Sequence, residues 1–419
     1  MKFGTDGIRG KAFEVITPEL AYSFGAAFAA SGMTSRPRQT FAVARDTRTS
    51  GERLEASLVA GMMAAGANVI ITGIMPTAAL SQFIRDRGMD GGVMITASHN
   101  PPEDNGLKPL NQLGKKLTLE EKMRLEYAFD LEETSPTPGS SYQISSGWIP
   151  WMNKVWSFIK DSGAENSLMG EKIVVDAGNG AGRFLLGQAL APFGAKIIEI
   201  GNRDGDQINV GCGSLHPQKL VQTVISAGAI AGIALDGDGD RIQVCDKDGV
   251  LYDGDDILWL LREKAKIIVG TIMTNEGLAL SLKTEGGILH RTAVGDSNIA
   301  EGMSSYWSPI GGEPSGHILF CDGMPTSCGV FTAAKLLSLN PAKWSGNLEG
   351  FKRSYQATGK VPVQEIEHLE KKIEELTRSG LRVVVRKSGT EPVIRLMVDG
   401  MDKGQVESSL TSLLDILMR

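Results

Sequence analysis

Three aspartates in the stretch Asp236-Gly-Asp-Gly-Asp240 recur at every second position. On an extended loop, side chains at this spacing project to the same side, and the glycines let the backbone curl around one ion. Such hard oxygen ligands suit Mg²⁺. A calcium EF-hand is excluded, because Arg241 stands where it needs Gly and Lys247 where it needs Glu. An acidic surface turn is the alternative, although carboxylates this close repel unless a cation joins them.

Ser98 follows a short apolar strand, Val93–Ile95, in a polar loop. In α/β folds the chemistry lies at such strand ends, although a serine in a turn is often only a backbone cap. A nucleophile–base pair with His99 is disfavoured, because adjacent side chains point apart in an extended chain. A phosphate on Ser98 agrees better with the other motifs, since the aspartate loop would hold Mg²⁺ on it and Arg241 would neutralise its charge.

Two residues are candidates for the general acid and base. Lys108 follows Ser98 closely in the chain, and burial near a metal would lower its pKa enough for proton transfer. His317 ends a loop in which Glu313, Ser315 and His317 alternate, so that all three would face one way if the loop is extended. A carboxylate, a hydroxyl and an imidazole in this order suit the hydroxyls of a sugar. The choice between Lys108 and His317 stays open.

Two further loops have the composition of anion sites. One turn combines fixed positive charge, hydroxyls and a glycine, which is the donor set that a phosphate monoester needs. Its predicted donors are Arg386, Ser388, Gly389 and Thr390. Arg395, on the next predicted strand, would add a second guanidinium. At the other end of the chain, Gly4–Gly10 places three glycines beside Arg9, as in loops whose backbone approaches an anion.

Predicted strands and helices alternate through three successive blocks, and each block contains a strand that ends in a polar, glycine-rich loop. This order indicates α/β domains with mixed, mostly parallel sheets. The last block differs, with a short charged helix, two strands and an amphipathic helix, and predicts a smaller α+β domain. A Pro/Ser/Thr/Gly-rich segment, Glu132–Gly147, indicates a first boundary. The predicted domains are 1–138, 139–241, 242–345 and 346–419.

The composition is that of a multidomain globular protein, with 419 residues, 42% hydrophobic and 22% charged. A net charge of −6 argues against nucleic acid or an anionic membrane as a partner, but not against a small anionic substrate. Four cysteines without a C-x-x-C pair indicate reduced thiols in a cytoplasmic protein. The N-terminus lacks the apolar segment of a signal peptide. The uncharged run Leu58–Ile84 is interrupted by Gly and Pro, and is predicted to be a helix end, a buried strand and a second helix start.

Five stretches, in order, resemble the loops of the α-D-phosphohexomutases. They are Gly4-Thr-Asp-Gly-Ile-Arg-Gly10, Thr96-Ala-Ser-His-Asn-Pro101, Asp236-Gly-Asp-Gly-Asp-Arg241, Gly312-Glu-Pro-Ser-Gly-His317 and Arg386-Lys-Ser-Gly-Thr-Glu-Pro392. The resemblance covers essentially the whole chain. Within the family, the first and last of these stretches are similar to those of the members that act on glucosamine phosphate.

The resemblance implies three similar α/β domains and a C-terminal α+β domain, heart-shaped around a central cleft, which the last domain opens and closes. It implies an Mg²⁺-dependent transfer through a phosphoserine and a sugar 1,6-bisphosphate, with a hexose or hexosamine phosphate as substrate; a homodimer is possible. By the resemblance, Ser98 is the phosphoserine and lies at the Mg²⁺ that Asp236, Asp238 and Asp240 bind. Glu313 and Ser315 would contact the sugar, and the far phosphate would be bound by Arg386, Ser388, Gly389, Thr390 and Arg395. The residues themselves add Lys108, His317, Arg9 and Arg241 as candidates for catalysis and His99 as a candidate for substrate binding.

Some positions depart from the family pattern. Pro314 replaces the residue that best marks sugar specificity, Ser297 replaces a common Arg, and Thr326–Gly329 replaces Thr-Gly-Asp-Gly. A mutase for mannose or glucose phosphates is therefore the nearest alternative. A non-catalytic sugar-phosphate-binding protein and a phosphatase are alternatives of other classes.

Overall fold

The structure, a computed structural model, describes residues 7–31, 36, 38–129, 135–263, 265–362, 369–387 and 393–417. The chain falls into two compact units, Met1–Asp253 with Ser315–Trp344, and Gly254–Pro314 with Ser345–Arg419. Among the described residues, no helix is both long and apolar enough to cross a membrane.

The first sheet has six strands in the order β1-β5-β4-β2-β3-β6. Its strands are β1 (Ile8–Lys11), β2 (Thr40–Arg45), β3 (Asn68–Ile74), β4 (Gly91–Ile95), β5 (Asp104–Asn111) and β6 (Ser141–Gln143), and its helices are α1 (Pro18–Ala30), α2 (Gly51–Ala64), α3 (Thr77–Arg87) and α4 (Leu119–Phe129). β2 is parallel to β3 and β4, whereas β5 is antiparallel to β4 and β1. The predicted order of helix, strand and helix across Leu58–Ile84 is confirmed.

Local sequence explains how α1 begins and what it buries. Thr17 caps the helix by accepting a hydrogen bond from Leu20 N, and proline occupies the first turn. Phe28 is fully buried and packs at 5.0 Å between ring centroids against Phe41 of β2. Burying a phenylalanine side chain of this kind stabilises the fold by roughly 1.5–3 kcal/mol.

The second sheet has the order β11-β10-β9-β7-β8. Its elements are α5 (Ile149–Asp161), β7 (Lys172–Asp176), α6 (Leu185–Leu190), β8 (Lys196–Ile200), α7 (Gln218–Ala227), β9 (Ala231–Leu235), β10 (Ile242–Asp246) and β11 (Leu251–Tyr252). β7 is parallel to β8 and β9, and β10 is antiparallel to β9. The sheet extends through Tyr252, because β10 is hydrogen-bonded to β9 and β11 is hydrogen-bonded to β10.

The second unit begins with a third parallel arrangement. Its elements are α8 (Gly254–Leu261), β12 (Ile267–Thr271), α9 (Glu276–Thr284), β13 (Ile288–Thr292), α10 (Asp296–Tyr306) and β14 (Ile310–Gly312). β12 is parallel to both β13 and β14. The first unit then resumes with β15 (Ile318–Phe320) and α11 (Gly329–Ser338), and α11 packs on α5 and α6.

The C-terminal part is a three-stranded antiparallel sheet in the order β16-β18-β17. After α12 (Trp344–Asn347), its elements are β16 (Tyr355–Pro362), α13 (Glu370–Arg378), β17 (Arg382–Lys387), β18 (Val393–Gly400) and α14 (Lys403–Leu417). Leucines and isoleucines of α14 and β18, including Ile394, Leu396 and Leu413, form one buried cluster. The predicted fold class, three α/β blocks followed by a smaller α+β block, is confirmed.

Candidate active site

The acidic loop is a tight turn at the carboxyl end of β9. Gly239 N donates to Asp236 O at 3.1 Å, and Gly239 has a φ of 71°, so the loop is not extended as predicted. The three carboxylates nevertheless converge: Asp236, Asp238 and Asp240 are all buried and offer ligand atoms within 4.8 Å of one another. The tight turn, and not the predicted extended backbone, brings the three carboxylates together.

Glycines let two other loops approach this turn. A Cβ on Gly180 would lie 2.2 Å from Gly237 O, and a Cβ on Gly237 would lie 2.5 Å from Ser98 O. Ala181 N also donates to Gly237 O at 2.7 Å. The glycine-rich turn after β7 therefore supports the acidic turn from one side, and the Ser98 loop lies against the other.

Ser98 and Asp236 form the shortest link between the two loops. Ser98 Oγ donates to Asp236 Oδ2 at 2.6 Å, while Arg241 N donates to Oδ1 at 3.1 Å. Burial, followed by the charges of Asp240 and Asp238, raises the pKa of Asp236 to about 7, against smaller opposing effects of Arg241 and Ser98. A nearby cation would stabilise the ionised form of this buried carboxylate against the repulsion of its two neighbours.

Lys108, on β5, contacts both Asp238 and Asp240. Its Nζ lies 2.9 Å from Asp238 Oδ2 and 2.6 Å from Asp240 Oδ2. His317 Nε2 lies 2.8 Å from Asp240 Oδ1. Burial alone would raise the pKa of Asp240, but His317 and Lys108 outweigh it and hold this pKa well below its usual range. Both predicted acid–base candidates therefore contact the acidic turn.

The residues present fit a hard divalent cation. Asp238 Oδ2 accepts from Thr77 Oγ1 and Lys108 Nζ, whereas Asp238 Oδ1 is buried and has no hydrogen-bond partner. An unpartnered buried carboxylate oxygen is costly, and a metal ion would satisfy it. Three aspartates with all-oxygen donors match the preference of Mg²⁺.

Ser98 has a left-handed backbone, with a φ of 52°. This conformation is uncommon outside glycine, asparagine and aspartate, and costs on the order of 1–3 kcal/mol. It brings Ser98 Oγ to 3.3 Å from His99 Nδ1, so the prediction that the two side chains point apart is wrong. The shorter contact of the hydroxyl is still with Asp236.

The imidazole of His99 is uncharged at neutral pH. Burial, followed by the charges of Arg241 and Arg9, lowers the pKa of His99 to about 4. The effect of both guanidiniums on one imidazole means that Arg9 and Arg241 lie near the Ser98 loop. The surroundings of Ser98 thus combine a carboxylate cluster with two positive charges, as a phosphorylated serine beside a metal requires.

The segment from Glu313 to His317 is a turn, with a φ of 89° at Gly316, and not the predicted extended chain. In the second unit, Glu313 is buried and accepts from Gly295 N at 3.0 Å. In the first unit, Ser315 is exposed, while His317 is buried against Asp240. The side chains therefore differ in burial and do not form the single row that alternation predicted.

Arg386 and Arg395 are direct cross-strand partners in the second unit. Burial, followed by the charge of Arg395, lowers the pKa of Arg386, and Arg386 Nε is buried without a hydrogen-bond partner. Like charges opposite each other destabilise a sheet unless an anion joins them. The predicted donors Ser388, Gly389 and Thr390 lie outside the described residues.

Several residues around Ser98 and the acidic turn were not predicted. They are Asp46, Arg48, Thr77, Thr96 and Asn209. A signal existed for the first two, because they stand in a charged loop at the carboxyl end of β2, the strand beside β4. Thr77 and Asn209 have no comparable sequence signal.

The chain belongs to the phosphoglucomutase/phosphomannomutase family. Four family domains match in order: alpha/beta/alpha domain I over residues 1–135, domain II over 150–249, domain III over 253–346 and the C-terminal domain over 352–415. The chain is therefore a phosphohexomutase, an isomerase.

Among curated relatives, phosphoglucosamine mutase of Pelotomaculum thermopropionicum is 37% identical over 442 residues, covering 99% of this chain and 98% of the relative. Phosphoglucosamine mutase of Sulfurovum sp. is 35% identical, covering 100% and 99%.

Two solved structures share the fold. A phosphoglucomutase/phosphomannomutase family protein of Burkholderia thailandensis superposes with a TM-score of 0.81 at 24% identity, covering 99% of this chain and 96% of that one. Aspergillus fumigatus N-acetylphosphoglucosamine mutase, solved with GlcNAc-6P and magnesium, gives 0.69 at 16% identity, covering 100% and 95%.

Proposed function

We propose that this phosphohexomutase interconverts glucosamine 6-phosphate and glucosamine 1-phosphate through a phosphoserine at Ser98 and a 1,6-bisphosphate. The product would serve UDP-N-acetylglucosamine and cell-wall precursor synthesis. The observation that carries the proposal is the 2.6 Å bond from Ser98 Oγ to Asp236 within the buried aspartate cluster. Full-length relatives that are named phosphoglucosamine mutase support the choice of sugar.

In the forward direction, phosphorylated Ser98 transfers its phosphoryl group to the 1-hydroxyl of the substrate. The bond from phosphorus to Ser98 Oγ breaks, a bond to the sugar oxygen forms, and the hydroxyl proton passes to a base. The bisphosphate then reorients and Ser98 Oγ attacks the 6-phosphoryl group. The bond from that phosphorus to the sugar O6 breaks, O6 takes a proton from an acid, and the phosphoserine is restored. Transfer of this kind depends mainly on positioning and on neutralising charge.

Asp236, Asp238 and Asp240 would hold Mg²⁺, which supplies charge neutralisation at the transferring phosphoryl group. Arg9 and Arg241 add positive charge beside Ser98. Lys108 and His317 both remain candidates for proton transfer; in this structure each contacts Asp240. In the second unit, the Arg386–Arg395 pair would bind the phosphate that is not being transferred, and Glu313 the sugar.

An assay on three substrates tests the proposal. The purified protein, activated with the matching bisphosphate and Mg²⁺, is given glucosamine, glucose and mannose 6-phosphates in turn. We expect the highest kcat/KM with glucosamine 6-phosphate. Faster turnover of glucose or mannose phosphate would contradict the proposed substrate, and release of free phosphate without isomerisation would contradict the mutase reaction.

The cytoplasmic location and a homodimer remain predictions. All four cysteines are unpaired, in agreement with a cytoplasmic enzyme. A homodimer would be tested by the mass of the protein in solution.

A further inference from the structure

The Ser98 loop presents two backbone carbonyls that each accept hydrogen bonds from the same two side chains. Arg48 donates from one terminal nitrogen to Ser98 O at 3.0 Å and to Asn100 O at 2.9 Å. Asn209 Nδ2 donates to Ser98 O at 2.8 Å and to Asn100 O at 3.0 Å. One donor follows β2 of the first sheet, and the other belongs to the loop between β8 and α7.

Arg48 is itself fixed by its surroundings. Its side chain is fully buried, and all five of its N–H groups have acceptors. Two of these acceptors are the carbonyls of Ser98 and Asn100. The other three are Asp46 Oδ2, Pro101 O and Asp104 O. A guanidinium with no spare donor, held by a buried carboxylate, is a rigid support for the loop.

A second path fixes the amide side of Ser98. Ser98 N donates to Thr96 Oγ1 at 2.8 Å, and Thr96 Oγ1 donates to Asp46 Oδ2 at 2.6 Å. Asp46 in turn accepts from Arg48 Nε at 3.0 Å. Ser98 is thus held through both its N–H and its C=O in the left-handed conformation, which places its Oγ on Asp236.

We propose that Arg48 and Asn209 are positioning residues for phosphoryl transfer at Ser98. They hold the carbonyls of Ser98 and Asn100 and so stabilise the left-handed turn at Ser98. Ser98 Oγ then stays beside the acidic turn both when it gives up one phosphoryl group and when it accepts the second from the bisphosphate. The inference rests on the proposed function of Ser98. It assigns no contact with substrate to either residue, and therefore concerns kcat more than KM.

Asn209→Asp tests this directly. The change is isosteric, and asparagine and aspartate both tolerate the φ of 61° at this position, but the carboxylate would oppose two carbonyl oxygens. We expect kcat to fall about 10- to 100-fold, with KM changed less than about twofold. The rate at which the 1,6-bisphosphate phosphorylates Ser98, followed by intact mass, should fall by the same factor.

Asn275→Asp is the matched control. Asn275 is also buried, and its Nδ2 donates to a backbone carbonyl, that of Ser354 at 3.0 Å, with both residues in the second unit. The Asn275→Asp change should lower the melting temperature about as much as Asn209→Asp and leave kcat within about twofold of the wild type. Asn209→Gly, which keeps the backbone freedom and removes the amide, covers the case in which Asn209→Asp does not fold.

Two failures are distinguishable. If the wild type isomerises the sugar phosphate but Asn209→Asp and Asn209→Gly keep its kcat, or lose activity only in proportion to stability as Asn275→Asp does, the positioning role is overturned while the proposed function stands. If the wild type neither isomerises nor becomes phosphorylated at Ser98, both are overturned. Arg48→Lys, which keeps the charge but has too few donors for the five acceptors, should reproduce the kcat loss of Asn209→Asp.

Discussion

Ser98 Oγ donates a 2.6 Å hydrogen bond to Asp236 Oδ2, although the two residues stand 138 positions apart in the chain. This bond joins the carboxyl end of β4 to that of β9, two strands of different sheets in the same unit. The proposed chemistry depends on this bond, because it places the proposed phosphate carrier beside the three aspartates that could bind a metal.

Replacing Ser98 by alanine should abolish turnover. With the nucleophile removed, we expect kcat to fall on the order of 10³-fold or more. Ser81→Ala is the control, since Ser81 is a buried serine whose hydroxyl donates to Gly114 O. Steady-state assays with added bisphosphate measure both variants. A Ser98→Ala enzyme as active as Ser81→Ala would show that Ser98 carries no phosphate.

Magnesium should stabilise the folded protein through Asp238. A ligand that binds only the native state adds about 2.7 kcal/mol at roughly 100 times its Kd. Thermal unfolding with and without Mg²⁺ should show an increase in melting temperature that Asp238→Asn loses. Asp246→Asn serves as control, because Asp246 is buried but bonded to Tyr252 and to its own turn. Equal shifts in both variants would place the metal elsewhere.

The metal-free protein should lose stability as pH rises. Folding raises the pKa of Asp236 from 3.8 to about 7, so the folded state favours the protonated carboxyl. The resulting stabilisation is present below pH 3.8 and is lost as pH rises through about 7. The melting temperature of the wild type, compared with Asp236→Asn, should therefore fall across this range, and saturating Mg²⁺ should remove the difference. An identical pH profile for both proteins without metal would contradict it.

Only one cysteine should react in the native protein. Cys321 is exposed, whereas burial raises the pKa of Cys212 and of Cys245 to about 12 and also raises the pKa of Cys328. A thiol whose pKa is raised stays protonated at mildly alkaline pH and is a poor nucleophile. Alkylation with iodoacetamide, followed by peptide mass spectrometry, should label Cys321 alone; early labelling of Cys245 would contradict the packing of the second sheet.

Arg386 should weaken the unliganded fold while it strengthens substrate binding. Arg386→Met removes one of two like charges across the strand pair, and should increase stability by about 0.2–1 kcal/mol while KM rises about tenfold. Arg382→Met is the control on the same strand. Arg382 is paired with Asp399 at 2.8 Å, so its loss should lower stability and leave KM unchanged. A lower stability of Arg386→Met, with unchanged KM, would exclude a phosphate site at this pair.

The sequence predicted most buried parallel strands, because apolar runs between turn residues mark them. β5 lacks such a run, because it begins with Asp104, Asn105 and Gly106, which are residue types common in turns, yet it is a strand held between β4 and β1. Pairing on both sides overrode local preference there. That strand also carries Lys108. The sequence therefore predicted Lys108 as a candidate catalytic residue but not the strand that positions it.

The aspartate spacing predicted the convergence of three carboxylates, and this is confirmed. The left-handed conformation of Ser98 was beyond prediction, because no glycine or asparagine marks it, and the contact with His99 followed from it. Arg48 and Asn209 act on Ser98 from 50 and 111 positions away. Contacts at such separations depend on how the sheets pack, which no local pattern encodes.

Tracing a labelled phosphoryl group tests the central claim most directly. The enzyme is phosphorylated at Ser98 with ³²P, freed of bisphosphate, and mixed with unlabelled glucosamine 6-phosphate and Mg²⁺ for a single turnover. We predict that the label leaves Ser98 and appears in glucosamine 1,6-bisphosphate and glucosamine 1-phosphate. Label that stays on the protein while product forms, or that appears only as inorganic phosphate, would contradict a phosphoserine mutase.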